Sequence, residues 1–179
     1  MNFYIQASNP RALKPSFIEE NLSAAIESVF PMNTENAILF WNHIAIPLSY
    51  KYDISYMVDD LLMILQALAR TDSGHLNVQW LPDTFRCNWS ISWNTGIVDI
   101  DVKWECVMGH LEELLKKHNS VVLPLESFVN EWRGVLHNVI IGLENAGYNE
   151  NSLYDMEKLI KQYNQICGQG ILYEKLTEN

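Results

Sequence analysis

The sequence predicts an α+β fold in which an antiparallel sheet of about four strands packs against about five helices. Between residues 75 and 106, apolar and polar residues alternate in three runs, the pattern of strands that bury one face. Turn residues at Pro82-Asp83 and at Asn94-Thr95-Gly96 separate these runs, so we expect a three-stranded antiparallel meander. Outside this stretch, apolar residues recur at three- and four-residue spacing, as they do in helices with one buried face.

The segment before the meander supplies two helices and the fourth strand. Residues 16–30 are predicted to form the first helix, because a capping box begins this segment and Pro31 follows it. Residues 44–54 alternate like one long strand, and Pro47 within it indicates a sheet edge or a bulge. The second helix is predicted at residues 55–70, with acidic residues near its start, where they suit the helix dipole.

Three helices are predicted after the meander. The first covers about residues 107–117 and the second about residues 125–145, with Gly147 suited to a left-handed cap after the second. The third starts at Ser152 and ends at Gly168-Gln169-Gly170. The predicted order of elements is therefore α-β-α-β-β-β-α-α-α.

The chain shows the features of one cytoplasmic domain. Its 179 residues contain no linker, low-complexity run or repeat, so residues 1–179 are expected to form a single domain. The first residues lack the pattern of a secretory signal, and no run approaches the roughly 18 apolar residues of a membrane span. We therefore expect a cytoplasmic protein that does not engage a membrane. Cys87, Cys106 and Cys167 show no CxxC spacing, and buried free thiols are expected.

The charge of the chain is strongly negative and unevenly distributed. The net charge is −10, and residues 53–113 contain ten acidic but only three basic residues. A nucleic-acid-binding protein needs the opposite sign along the phosphates, so this distribution argues against nucleic acid as a partner. It permits a basic protein partner, whose association an acidic surface would accelerate. An ordinary solvated surface is the alternative explanation of the same charges.

No recognisable catalytic, metal-binding or cofactor-binding motif occurs in the sequence. His110 and Glu113 are three residues apart on a predicted helix and offer two metal ligands, but the HExxH spacing is absent. No GxSxG elbow marks a nucleophile, and Gly168-Gln169-Gly170 follows a helix rather than a strand. We therefore predict no catalytic residue, no metal and no cofactor, although residues distant in sequence could still assemble a catalytic triad.

The meander has one tryptophan-rich face and one polar face. Trp80, Trp89, Trp93 and Trp104 all fall on the apolar side of their strands. Helices would cover these tryptophans as core, or some would stay open as anchors for a partner. The opposite face is either solvated or an acidic recognition surface. Its residues are Arg86, Asn88, Ser90, Ser92, Asp99, Asp101, Lys103 and Glu105.

Three segments carry a family resemblance. They are Trp41-Asn42-His43-Ile44-Ala45-Ile46-Pro47-Leu48, the meander from Ser90-Ile91-Ser92-Trp93 to Val102-Lys103-Trp104, and Leu123-Pro124-Leu125-Glu126-Ser127-Phe128 with Trp132. Together they resemble bacterial immunity proteins, the cytoplasmic antidotes of contact-dependent growth inhibition and other polymorphic toxin systems. The resemblance implies a small protein that binds one cognate toxin domain, often a basic nuclease, and blocks it. Such families lack invariant catalytic residues, so the resemblance assigns no role to a particular position.

Charge and strand face together select eight candidate residues for contact with such a partner. They are Asp53, Asp59, Asp60, Asp99, Asp101, Glu105, Glu112 and Glu113. The expected function is that of a monomeric inhibitor whose carboxylates occupy the basic groups of a toxin domain. The alternatives are an enzyme with a spatially assembled site, and an adaptor or oligomeric scaffold that uses the tryptophan face or the Pro47 strand edge.

Overall fold

The structure is an α+β fold with two antiparallel sheets and helices packed against them, which confirms the predicted fold class and the meander. In this computed structural model, the backbone is described for residues 2–177 and the side chains for residues 2–168. The strands are β1 (Phe3–Gln6), β2 (Ala37–Trp41), β3 (Ile44–Leu48), β4 (Ser73–Trp80), β5 (Phe85–Asn94), β6 (Ile97–Val107) and β7 (Ser120–Pro124). The helices are α1 (Leu22–Val29), α2 (Ser55–Arg70), α3 (Glu112–Leu115), α4 (Leu125–Glu131), α5 (Arg133–Ala146) and α6 (Met156–Thr177).

The strand predicted at residues 44–54 does not pair with the meander, because it belongs to a separate sheet. That sheet has the order β1-β2-β3 and is termed the N-terminal sheet. The meander strands join β7 in the order β4-β5-β6-β7, termed the meander sheet. The sequence pattern did not predict β1, β2 or β7, which have only four or five residues each. Strand β3 lies at a sheet edge, as Pro47 indicated.

Each sheet contains a hairpin closed by two residues with positive φ. Asn42 and His43 connect β2 to β3 with φ of 47° and 69°. Thr95 and Gly96 connect β5 to β6 with φ of 47° and 78°. Two consecutive residues of this kind give the turn a twist that matches the right-handed twist of the paired strands. The predicted turn between the second and third meander strands is therefore confirmed.

The predicted long strand stops at Leu48, and the chain then forms a π-helical segment, Tyr50–Ile54, that leads directly into α2. A carboxylate oxygen of Asp53 accepts a hydrogen bond from the backbone N–H of Ser49 at 2.7 Å. The backbone N–H groups of Asp53 and Ile54 both donate to the Ser49 carbonyl. Such local bonds offer the backbone an alternative to a strand ladder, which is why the alternating pattern misleads here.

Helix α1 starts at Leu22, well after the predicted capping box. Asn21 is its N-cap, and the side-chain oxygen of Asn21 accepts from the backbone N–H of Ala24 at 2.8 Å. Upstream, the backbone N–H of Glu19 donates to the Tyr148 hydroxyl at 2.9 Å. This long-range bond fixes the segment against the end of α5, so tertiary contact overrides the local helix signal.

The first two helices predicted after the meander are displaced or interrupted. Strand β6 pairs with β5 as far as Val107, so only the short α3 and a 3₁₀ turn remain of the helix predicted at residues 107–117. The helix predicted at residues 125–145 is divided into α4 and α5 at Trp132. Gly147 caps α5 in the predicted left-handed conformation, with φ of 102°.

Helix α6 begins at Met156 rather than at Ser152. The Ser152 hydroxyl accepts from the backbone N–H of Asn149 at 2.9 Å, so this serine closes a turn before the helix instead of capping it. The backbone of α6 is helical as far as Thr177, through the glycines that were expected to end it. Among the residues described, no helix has both the length and the apolar character needed to cross a bilayer.

The meander tryptophans lie in the core. Trp80, Trp89, Trp93 and Trp104 are each at most 6% exposed, which confirms the prediction that they are core and excludes the alternative that some stay open as partner anchors. The N-terminal sheet contributes to their burial, since the ring of Trp41 lies 5.4 Å from that of Trp89 and 5.3 Å from that of Trp104. One apolar core is therefore continuous across both sheets and the helices.

Two side chains of the β2–β3 hairpin fasten the N-terminal sheet to the start of β7. The indole N–H of Trp41 donates to the His118 carbonyl at 2.6 Å. The side-chain amide of Asn42 donates to the carbonyls of His118 and Ser120, at 3.1 Å and 2.9 Å. Hydrogen bonds as well as apolar packing therefore hold the two sheets together.

A polar network inside the protein connects α5 to the end of β1. The amide nitrogen of Asn138 lies 2.9 Å from the Tyr50 hydroxyl and 3.2 Å and 3.1 Å from the carbonyls of Ala7 and Ser8. The Tyr50 hydroxyl donates to the Ala7 carbonyl at 2.7 Å. Burial raises the pKa of Tyr50 above its ordinary value, so the phenol keeps its proton and remains a donor.

Replacing Asn138 by alanine should destabilise the fold, because the carbonyls of Ala7 and Ser8 and the Tyr50 hydroxyl lose a shared donor. We expect the free energy of unfolding to fall by about 1–3 kcal/mol. Asn145→Ala, an exposed position on the same helix, is the control and should change it by no more than about 0.5 kcal/mol. Urea denaturation of the two variants measures the difference, and equal losses would contradict a specific role for Asn138.

Candidate protein-binding face

One face of the meander sheet is polar, and none of the helices that the structure describes covers it. Strand alternation places its side chains on the side opposite to the tryptophans, and all of them are exposed or half-buried. The strand register arranges them in rows across the sheet, and the face they form is termed the polar face. The rows are His75–Ser92–Asp99–Val122, Asn77–Ser90–Asp101–Ser120 and Gln79–Asn88–Lys103.

The polar face is hollowed into a wide, open groove of about 1020 Å³, termed the polar groove. Amide groups dominate its lining, with two carboxylates and two ammonium groups among them. The polar side chains that line it are Asn77, Gln79, Asn88, Ser90, Asp101, Lys103, Glu105, Lys116 and Asn119. This lining contains no histidine or cysteine. Its groups are suited to hydrogen bonds and ion pairs with a polar ligand surface.

Asp99 and Asp101 provide the accessible carboxylates of the polar face. Both side chains are exposed on β6. Among residues 2–168, neither carboxylate has a basic side chain within 4.0 Å. Their direct cross-strand neighbours are Val122 and three serines, none of which carries a charge, so these two carboxylates are available to a partner.

Glu105 is committed to contacts inside the groove. Its Oε1 atom accepts from the side-chain amide of Asn88 at 2.8 Å and lies 3.7 Å from Nζ of Lys103. Glu105 is also the extra residue of a β-bulge, since Arg86 pairs with Cys106 while the next residue of β5 pairs with Trp104.

The bulge changes the side of the strand on which the following residue lies. Cys106 is therefore half-buried rather than fully buried as expected, and its thiol lies 3.0 Å from the Asp83 carbonyl. Cys87, one strand away, is buried as predicted, and burial raises the pKa of its thiol. Cys167, on α6, is a free thiol as predicted but is half-buried rather than buried.

Glu112 and Glu113 organise the turn beside the polar groove. The Glu112 carboxylate accepts from the backbone N–H of Val107 at 2.7 Å, and this bond lowers the pKa of Glu112. Glu113 pairs with Lys116 at 2.6 Å, which raises the pKa of that lysine. The two acids thus hold the chain that brings Lys116 to the groove.

Asp53 is the clear correction to the predicted acidic surface, because its side chain is completely buried. Its carboxylate accepts from the backbone N–H of Ser49 and from the Thr84 hydroxyl, which ties the start of α2 to the turn before β5. Burial is the main cause of a raised pKa at Asp53, and the two hydrogen bonds oppose it. A partner cannot reach this carboxylate in the folded protein.

Asp59 and Asp60 lie on α2, away from the polar face. Helix α2 packs its apolar side into the same core as the meander tryptophans, so it lies on the opposite side of the meander sheet. Burial and repulsion by Asp155 raise the pKa of Asp59, while Lys158 opposes the increase. Burial and then Asp59 raise the pKa of Asp60. The eight predicted residues therefore do not form one patch.

Several residues of the polar groove were not selected from the sequence. Asn77 and Gln79 lie on the predicted polar side of β4, so alternation alone could have placed them on this face. Lys116 and Asn119 carried no such signal, because they reach the groove through the unpredicted connection to β7. Within the side chains described, no group of three or more His, Cys, Asp and Glu residues is placed to hold a metal ion.

Comparison of this chain with protein-family models, with curated proteins and with solved structures gives no match. Its function must therefore be inferred from the arrangement of its own residues. The polar face offers an open groove of about 1020 Å³, together with two exposed carboxylates that have no basic side chain within 4.0 Å among residues 2–168.

Replacing Asp53 by asparagine should change how stability depends on pH. Burial raises the folded-state pKa, so the folded chain holds the Asp53 proton more tightly than the unfolded chain does. The contribution of Asp53 to stability is then fully present below the ordinary aspartate pKa and is lost as pH rises through the raised folded-state pKa. The free energy of unfolding of the wild type minus that of Asp53→Asn should fall across this window and then level off.

Urea denaturation over a series of pH values measures this difference. Thr84→Val provides a second variant, because it removes a hydroxyl that lowers the pKa of Asp53. In the Thr84→Val background, the difference in free energy of unfolding between the chain with Asp53 and its Asp53→Asn variant should therefore continue to fall to higher pH. A difference that rises with pH would contradict the assignment.

Proposed function

We propose that this chain is an immunity-type inhibitor that binds a cognate toxin domain through the polar face and blocks it in the cytoplasm. The supporting observation is the pair Asp99 and Asp101, which are exposed beside the polar groove and have no basic side chain within 4.0 Å among residues 2–168. The resemblance of the sequence to immunity proteins points in the same direction. The inhibitor acts as a monomer, and the interface requires no cofactor.

A sheet is a rigid platform for such an interface, because cross-strand hydrogen bonds fix the direction of every side chain. Strands β5 and β6 have 10 and 11 residues. At about 3.3 Å per residue and about 4.8 Å between strands, the face measures roughly 33 Å by 15 Å. That area is roughly 500 Å², while each side of a standard interface covers about 800 Å². The partner must therefore also contact the rim, where Ile97 and Val122 are exposed.

The partner that best fits this face is a basic protein surface. A chain with a net charge of −10 attracts a basic domain over a distance, which accelerates association. At close range, Asp99 and Asp101 pair with individual cations, and the amides of Asn77 and Gln79 supply directional hydrogen bonds. A nuclease toxin has such a basic cleft because it binds phosphates, and the two carboxylates would occupy it in place of the substrate.

Reversing both charges, Asp99→Lys with Asp101→Lys, should weaken the complex. The proposal predicts that the reading frame directly upstream encodes a large toxin, and the partner to test is the C-terminal domain of that toxin in an inactivated form. The dissociation constant should rise by roughly 10- to 100-fold at low salt, mainly through slower association. The difference in dissociation constant between the wild type and this variant should become smaller as salt increases, because the screening length falls from about 10 Å at 0.1 M to about 3 Å at 1 M.

A matched variant separates local contact from total charge. Glu144→Lys with Glu157→Lys makes the same change in net charge at two exposed helical positions off the polar face. It should alter the dissociation constant by only about threefold. Equal affinities for both double variants and the wild type, with a flat salt response, would rule out the polar face as the interface.

Growth measurements provide an independent test of the biological role. Co-expression of the wild-type chain with the active toxin domain should restore growth, and the Asp99→Lys, Asp101→Lys variant should restore it poorly. Binding without any protection would show a partner interaction but not an immunity function.

A further inference from the structure

Helix α2 and the turn before it expose three large side chains along one line. Tyr56 is 59% exposed, Met63 is 43% exposed and Tyr52 is 38% exposed. They follow one another at spacings of four and seven residues, which places them on one side of a helix. The other side of α2 is buried in the core. This line of side chains, with Asp59 and Asp60 between them, is termed the α2 stripe.

The α2 stripe carries two carboxylates in a partly dehydrated setting. Burial is the main cause of the raised pKa at both Asp59 and Asp60. On the α6 side, Asp155 repels Asp59 and Lys158 attracts it, but within residues 2–168 no basic group comes within 4.0 Å of either stripe carboxylate. A cation from another molecule would relieve this repulsion.

Trp80, the last residue of β4, lies close to Asp60. Its buried indole N–H forms no hydrogen bond of normal geometry, yet it lowers the pKa of Asp60 against burial and Asp59, which raise it. The stripe therefore presents tyrosine and methionine side chains around two carboxylates.

This composition is typical of a protein-binding surface. Tyrosine and methionine are enriched in interfaces relative to the rest of a protein surface. A cation already approaches the stripe from within the molecule, since Nζ of Lys51 lies 5.5 Å from the ring centre of Tyr52. Tyrosine rings and carboxylates both attract cations, and apolar neighbours strengthen that attraction by excluding water.

We propose that the α2 stripe is a second docking surface, which binds a basic amphipathic helix of a protein partner. Lysine or arginine side chains of that helix pair with Asp59 and Asp60, and its aliphatic side chains cover Tyr56 and Met63. The stripe lies on the opposite side of the meander sheet from the polar face, so both surfaces can be occupied at once. This docking surface does not depend on the proposed inhibition of a toxin.

A defined probe tests the proposal on the full chain. The probe is a synthetic amphipathic helical peptide of leucine and lysine, titrated into the isotopically labelled protein while backbone amide shifts are recorded. Shifts should concentrate in α2. A peptide with glutamate in place of each lysine should cause no comparable shifts.

Matched variants show whether the peptide binds at the stripe or to the acidic protein in general. Tyr56→Ala and Asp60→Asn should each weaken binding by about tenfold, equivalent to about 1.4 kcal/mol. Met63→Ala should weaken binding, whereas Met108→Ala should not, although the two methionines are 43% and 40% exposed. Glu144→Gln is the charge control for Asp60→Asn and should leave binding unchanged.

The outcomes separate cleanly. Shifts on α2 together with losses confined to the stripe variants would support the docking surface. Absence of binding, shifts spread over the whole surface, or equal losses in stripe and control variants would overturn it. Circular dichroism confirms that each variant is folded, and the Asp99→Lys, Asp101→Lys variant should bind the peptide within about threefold of the wild-type affinity. Failure of the proposed toxin interface would therefore leave this result intact.

Discussion

The packing of the meander tryptophans against the N-terminal sheet is the contact on which the rest of the architecture depends. Trp41 lies within about 5.5 Å of Trp89 and Trp104, centre to centre. Each tryptophan buries roughly 150–250 Å², which at about 25 cal/mol per Å² contributes at most about 4–6 kcal/mol. Because this contact buries the apolar face of the meander sheet, the polar face is the side that remains accessible to other molecules.

The same contact explains which parts of the fold could be predicted from sequence. Strands β5 and β6 have 10 and 11 residues with one buried and one polar side, so alternation identifies them clearly. Strand β2 is apolar throughout because both of its sides are packed: Trp41 faces the core, and Phe40 stacks on Tyr4 at 4.1 Å on the other side. A short, uniformly apolar run has no period, so its pattern does not distinguish a strand from a buried helix segment. The division into two sheets follows from long-range packing that no local pattern contains.

The candidate site was predictable to the extent that it lies on regular strands. Parity along β6 correctly placed Asp99 and Asp101 on the exposed polar side. The excess of acidic residues between positions 53 and 113 does not show which carboxylates are exposed, because exposure depends on the neighbours that each carboxylate has in the fold. Asp53 is buried by bonds to Ser49 and Thr84, one of which spans 31 positions of the chain. Glu112 is taken up by a turn that was predicted as part of a longer helix.

The hydrogen bonds from Trp41 and Asn42 to the start of β7 affect the outer edge of the meander sheet. Strand β7 is an outer strand, and alternate residues along it direct their backbone groups away from β6. The Ser120 carbonyl is already engaged by Asn42, and Pro124 has no N–H to donate. Among these outward-directed residues, Val122 alone has both its backbone N–H and its C=O free for pairing. A strand from a neighbouring molecule would therefore find too few hydrogen-bond partners to extend the sheet there. The exposed edge of the four-stranded meander sheet at β7 is thereby protected against edge-to-edge pairing with other molecules.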